Sequence, residues 1–168
     1  LWRYLAEGGP GNAENFLRYA AALIGGRVAW AEPQPLLRAG FYWPGRGLAT
    51  LEEIRGEWRG DAGIVPIVFY RALVQSGNTA PVDALVRALA ARRLQPLPVF
   101  VHSLREAEAA ALLAGVLAAL PPAVILNATG FSVAAAGGSD PLAADCPVLQ
   151  VVFAGGDGAS WRAGTRGL

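Results

Sequence analysis

Residues 64–104 decide the fold. They read Ile64-Val-Pro-Ile-Val-Phe-Tyr70, a polar Gly77-Asn-Thr79 turn, a helical stretch over 80–93, then Gln95-Pro-Leu-Pro-Val-Phe-Val101 closing on His102-Ser103-Leu104. The first run is continuously apolar and rich in β-branched residues, the pattern of a strand buried on both faces of a parallel sheet. Val82, Leu85, Val86 and Leu89 recur at helical spacing, which puts one apolar stripe on the segment that follows. Thr79 is placed to cap that helix, Pro81 suits its first turn, and Asp83 favours its positive end. The second apolar run supplies another strand. Strand, crossover helix and strand of this length make a βαβ unit with a right-handed connection.

Towards the C-terminus, Ser103-Leu-Arg-Glu106 matches a capping box, so the chain is expected to pass straight from strand into a helix ending near residue 120. Ala123-Val-Ile-Leu-Asn127 reads as a third strand and Pro147-Val-Leu-Gln-Val-Val-Phe153 as a fourth. Between them, residues 129–144 form a glycine- and alanine-rich excursion, with a short helix expected at Asp140-Pro141. Four apolar strands alternating with helices predict an α/β fold. It is an open, doubly wound, mostly parallel sheet of flavodoxin-like or Rossmann-like type with flanking helices.

Towards the N-terminus the pattern weakens. A helix ends near Glu7, Gly8-Gly-Pro-Gly11 breaks it, and Asn12 is placed to cap a second helix on which Phe16, Tyr19, Ala20 and Leu23 share a face. Phe41-Tyr-Trp-Pro-Gly45 reads as an edge strand entering a turn, and residues 51–54 as a short helical segment. The chain thus divides into a helical and loop-rich segment, 1–62, which packs on the core or on a neighbouring domain, and an α/β parallel-sheet core, 63–168.

Hydrophobic residues make up 54% of the 168 and charged residues 16%, which excludes a disordered chain and leaves a surface poor in charge for a free monomer. Part of that surface is therefore expected to face other protein. A net charge of +1 with no basic run gives no footprint for nucleic acid. The single cysteine, Cys146, excludes an internal disulfide framework and fits a reducing, cytoplasmic setting. Residues 109–139 carry no charge, but Pro121-Pro122, Asn127, Thr129 and Ser132 interrupt them, so a helix and a buried strand are expected rather than a membrane span. The opening Leu1-Trp-Arg-Tyr-Leu5 and the closing Arg166-Gly-Leu168 both read as interrupted helices, as in a piece of a longer polypeptide.

Ligands of doubly wound sheets sit beyond the carboxyl ends of the strands. Gly77, Asn78 and Thr79 follow the first strand here after a short segment, His102 and Ser103 follow the second, Asn127, Thr129 and Gly130 the third, and Gly155-Gly-Asp157 the fourth. These are mostly small hydrogen-bonding residues, backed by helix N-termini that favour anionic groups. The same residue types also cap helices and close turns, so their common placement rather than their identity marks a candidate crevice. One histidine and one cysteine cannot make a zinc site, and dispersed acids give no carboxylate cage, so no metal site is expected within this chain. There is no Walker A motif, and Gly156-Asp-Gly158-Ala-Ser-Trp161 puts a tryptophan at the third glycine of a dinucleotide loop. Gly130-Phe-Ser132-Val-Ala134 imitates a nucleophile elbow, but His102 precedes Ser132, whereas α/β-hydrolases place histidine last. Trp43 and Trp161 are candidates for stacking on a ring, although core or interface packing is the commoner use of such residues.

A set of blocks then carries a resemblance: Tyr4-Leu-Ala-Glu-Gly-Gly-Pro10, Asn15-Phe-Leu-Arg-Tyr19, Ala39-Gly-Phe-Tyr-Trp-Pro-Gly45 and Phe69-Tyr-Arg-Ala-Leu-Val-Gln-Ser-Gly-Asn-Thr-Ala-Pro-Val-Asp-Ala-Leu85. Pro96-Leu-Pro-Val-Phe-Val101, Leu126-Asn-Ala-Thr-Gly-Phe131, Val148-Leu-Gln-Val-Val152 and residues 161–168 complete the series. Together they resemble the large subunit of the ATP-dependent cobaltochelatase of aerobic cobalamin biosynthesis, itself related to the large subunit of magnesium chelatase. The resemblance implies one module of a much longer subunit that binds tetrapyrrole and metal. Two partner subunits, one an AAA+ ATPase, hydrolyse ATP, so this module binds no nucleotide and is inactive alone. The implied substrate is hydrogenobyrinic acid a,c-diamide, with cobalt(II) as the substrate ion. A magnesium chelatase homologue acting on protoporphyrin IX, and a structural docking module, stay open as alternatives. Among matched positions, Gly77, Asn78, Thr79, His102, Asn127, Thr129 and Gly130 are the ones to test for hydrogen bonding to the macrocycle's amide or carboxylate arms. No catalytic residue is carried over.

Overall fold

The computed structural model describes residues 1–130, 140–154, 156 and 158–164. Along them the order is α1 (Trp2–Glu7), α2 (Pro10–Leu23), β1 (Ala39–Trp43), β2 (Gly47–Ala49), α3 (Leu51–Glu57), β3 (Ile64–Tyr70) and α4 (Arg71–Ser76). Then come α5 (Ala80–Ala90), β4 (Gln95–Val101), α6 (Ala107–Ala119), β5 (Ile125–Asn127), β6 (Val148–Gln150) and α7 (Gly158–Ala163). The strands form a single six-stranded sheet in the order β2-β1-β4-β3-β5-β6.

The two long apolar runs are the centre of that sheet. β3 and β4 pair in parallel from Ile64 opposite Gln95 to Tyr70 opposite Val101. β5 adds in parallel to the other side of β3, and β6 to β5. In chain order the parallel strands lie second, first, third, fourth, which is the flavodoxin winding, and its direction reverses between β3 and β5. Burial on both faces explains the unbroken apolar runs. Ile67, Phe69 and Phe100 meet Val82 and Val86 of α5 on one face, while Val68, Leu97, Val99 and Val101 meet Leu113, Val116 and Leu117 of α6 on the other.

The prolines of β4 are tolerated for a geometric reason. Gln95 N–H donates to Gly63 C=O, so odd-numbered residues face β3 and the missing N–H groups of Pro96 and Pro98 point the other way. On that side β1 pairs only from Val99 to Val101, and the outward carbonyl of Pro96 accepts the Trp58 indole N–H at 2.8 Å.

Several local expectations need correction. Phe41 to Trp43 lie in β1, which is antiparallel to β4 and is not the edge, because β2 pairs outside it. Asn12 lies inside α2 rather than capping it. Its amide donates to Gly8 and Gln34 carbonyls and its oxygen accepts from Gln34 N–H, tying the following loop to the α1–α2 junction. Thr79 precedes α5 in helical geometry and makes no side-chain cap. The Ser103–Glu106 box does not form, because Glu106 is held by Arg38 and Ser103 Oγ accepts from Arg105 N–H instead. α6 begins only at Ala107. Asp140 closes a turn through Leu142 N–H instead of starting a helix. Ser132, Gly155, Asp157 and residues 165–168 lie outside the described residues.

No helix among the described residues is long and apolar enough to cross a membrane.

Candidate functional site

Because β3, β4 and β5 are parallel, their carboxyl ends open on one edge, and the reversal of winding makes the gap between β3 and β5 the place where loops diverge. Arg71 follows β3 directly on that edge, and Ala128, Thr129 and Gly130 follow β5. What each strand delivers depends on local bonding.

At the end of β4, His102 N–H donates to Arg38 C=O at 2.7 Å, which fixes the backbone and leaves the imidazole exposed. His102 Nε2 lies 3.8 Å from Glu106 Oε1. The same carboxylate takes two hydrogen bonds from the Arg38 guanidinium. Those bonds hold Glu106 below the ordinary glutamate range against partial burial, and the charges of Arg38, His102 and Arg71 act in the same direction. Arg71 donates to the carbonyls of Leu36 and Leu37 and so pins the segment that carries Arg38. The result is a polar rim of His102, Ser103, Arg38, Arg71 and Glu106 in which Arg38 pairs with the carboxylate and the Arg71 charge acts on it from farther off.

At the end of β5, Asn127 Oδ1 accepts from Thr129 N–H at 3.0 Å and from Thr129 Oγ1 at 2.6 Å. Asn127 Nδ2 donates to Gln150 Oε1, and Gln150 Nε2 donates to Thr129 C=O. Asn127 and Thr129 are buried, and their polar atoms are consumed within this knot. Of Asn127, Thr129 and Gly130, Gly130 alone is exposed. Asn127→Ala should therefore cost about 2 kcal/mol, since it orphans the buried donors of Thr129. Exposed Asn78→Ala should stay within about 0.5 kcal/mol. Urea denaturation of the two variants checks both values.

Gly77, Asn78 and Thr79 form a third group. α4 intervenes between β3 and this turn, and Gly77 closes it with φ 72°. The turn stands against the N-terminal helices, with Gly9 N–H donating to Gln75 C=O and Gly77 close to Pro10. Beside it is a cavity of about 330 Å³ lined by residues including Pro10, Asn12, Leu36, Leu48 and Val74. Among the described residues no hydrogen bond joins the three groups to one another.

The pattern of polar residues at strand ends marks this edge but not Arg38, Arg71, Glu106 and Gln150, whose side chains bond its segments together. Arg71 carried a usable signal, its position directly after the first strand. Trp43 packs against both core clusters, whereas Trp161 is exposed on α7. Among the described residues no group of three or more His, Cys, Asp or Glu side chains could hold a metal ion.

The family model described as CobN/Magnesium Chelatase matches residues 2–168. The chain is 43% identical over 180 residues to the aerobic cobaltochelatase subunit CobN of a Sinorhizobium species, and 36% identical over 171 residues to that of Pseudomonas aeruginosa. Each alignment takes in all of this chain but 14% of the relative's length. The catalytic subunit of cobaltochelatase from Mycobacterium tuberculosis matches with a TM-score of 0.65 at 25% identity, covering 96% of this chain and 14% of that one.

Proposed function

The chain belongs to the CobN/magnesium chelatase family, and from that premise we propose that it is one module of the tetrapyrrole-binding large subunit of an ATP-dependent cobaltochelatase. The reaction is insertion of cobalt(II) into hydrogenobyrinic acid a,c-diamide in the cytoplasm. An AAA+ partner and its companion subunit hydrolyse the ATP. Cobalt is cargo here, and the module's part is to orient the macrocycle.

The observation that supports this reading is the rim beyond β4 and β3. Exposed His102 and half-buried Ser103 lie at the edge where doubly wound sheets receive ligands, with Arg38 and Arg71 on the segments bonded to it. Carboxylate or amide arms of a corrin would accept from the Ser103 hydroxyl and from the guanidinium N–H groups not engaged by Glu106 or by the Leu36 and Leu37 carbonyls. The backbone bond from His102 to Arg38 holds these groups in place, so little ordering is needed on binding.

In the full-length subunit, His102→Ala with Ser103→Ala should weaken hydrogenobyrinic acid a,c-diamide binding roughly tenfold, about 1.4 kcal/mol, and slow cobalt insertion by the reconstituted complex. Asn78→Ala should change neither. If the double variant binds and inserts like the parent, the rim idea fails and the module is a scaffold, a reading favoured by the closed Asn127–Thr129–Gln150 knot. Comparing Co²⁺ with Mg²⁺ insertion separates the cobalt enzyme from the magnesium enzyme.

A further inference from the structure

β6 ends the sheet on one side, and its outer edge has no strand partner among the described residues. Ile125 N–H donates to Pro147 C=O at 2.9 Å and Val151 N–H to Asn127 C=O at 2.8 Å. Odd-numbered residues of β6 therefore face β5, and the amides and carbonyls of Val148 and Gln150 point outward. Val148 and Leu149 project to opposite faces and are 44% and 53% exposed, with Val152 beyond them at 65%. A parallel strand in a doubly wound sheet is normally covered by helices on both faces, as β3 and β4 are. An apolar edge with free backbone groups is a ready template for another strand.

The other edge is different. There β2, the outer strand of the antiparallel β1–β2 hairpin, ends the sheet beyond β4. The parallel part of the sheet ends at β6, and the winding leads that way. From the reversal between β3 and β5 the chain steps outward to β6 and then enters α7, which buries none of its six residues. With β5 on the inner side of β6, a further parallel strand reached by a crossover through α7 would fall on the outer edge. The relatives supply the material, because the matched segment is 14% of their length and roughly six-sevenths lies outside it.

We propose that in the longer polypeptide β6 is an internal strand: a further parallel strand of the same chain pairs with Val148 and Gln150, and its helices cover Val148, Leu149 and Val152. The inference stands on the sheet alone and does not depend on the ligand rim.

The test is amide hydrogen exchange on the full-length subunit without its partners. Val148 and Gln150 amides should exchange as slowly as those of Val68 and Val99 in the core strands. Leu149→Asp, made in the full-length subunit, should lower its thermal midpoint by several degrees. Exchange at the unprotected rate together with an unchanged midpoint overturns the proposal. So does protection that appears only when a partner subunit is added, since the occupant is then another protein. Should Leu149→Asp be insoluble, the exchange pattern of the parent subunit decides.

Discussion

Phe69→Ala should destabilise the chain by about 4 kcal/mol, the cost of removing a buried aromatic and leaving the space behind it. Phe69 is fully buried on the α5 face of β3, edge-on to Tyr42 with ring centroids 6.2 Å apart and to Phe100 at 6.5 Å. Its neighbours cannot readily fall inward. Tyr42 is tethered through its hydroxyl to Asp83 at 2.7 Å, so the outer end of the ring is held as well as its backbone. Phe100 is wedged against Gly40, where a Cβ would already lie 2.9 Å from the phenyl Cζ. With a urea slope of about 2 kcal/mol per molar, the unfolding midpoint should fall by about 2 M. An unmoved midpoint would mean that α5 does not pack on this face.

Gly60→Ala should cost about 3 kcal/mol, although Gly60 lies in a surface loop. A Cβ at Gly60 would lie 1.8 Å from the carbonyl oxygen of Arg93 and 2.3 Å from its carbon. Both are backbone atoms, so no rotamer change relieves the overlap. The crossing is fixed from several directions. Ala62 N–H donates to that same Arg93 oxygen, Gln95 Nε2 donates to Gly60 C=O, and Arg93 pairs with Asp61 at 2.8 Å. Arg93 itself has φ 64°, the one non-glycine residue with positive φ among those described. Separating the strands of this crossing displaces the start of β4. The thermal midpoint should drop by roughly 6–12 °C, and an alanine variant melting with the parent would show that the crossing yields to a methyl group.

The same two regions show what the sequence could reveal. β3 and β4 match their predicted bounds because burial on both faces leaves a continuous apolar signal with sharp ends. β1 was legible as a strand but its place was not, since its partner in β4 lies far along the chain. β5 and β6 are three residues each, too short for their ends to be read. Capping followed the same division. Thr50-Leu-Glu-Glu53 forms a complete capping box on α3 from purely local atoms and could have been read directly. Ser103-Leu-Arg-Glu106 has the same spelling but fails, because an arginine 68 residues away takes the glutamate.

The candidate site divides likewise. Parallel topology placed His102, Ser103, Asn127 and Thr129 at strand ends on one edge. It could not tell that Asn127 and Thr129 satisfy each other, or that α4 carries Gly77, Asn78 and Thr79 towards the N-terminal helices. Which polar residue stays available to a ligand depends on long-range pairing, and that is invisible in a single chain of letters.

The hairpin beyond β4 also has a consequence in time. Residues 44–94, 51 positions in all, separate Trp43 from the first residue of β4. At a synthesis rate of about 5–20 residues per second, β1 and β2 wait several seconds on the ribosome before their docking strand emerges. A lone two-stranded ribbon is marginal in water, so Phe41, Tyr42 and Trp43 spend that interval uncovered. The nascent chain is therefore most exposed to chaperones and to aggregation at its early aromatic ribbon, and the finished sheet closes from its middle outwards.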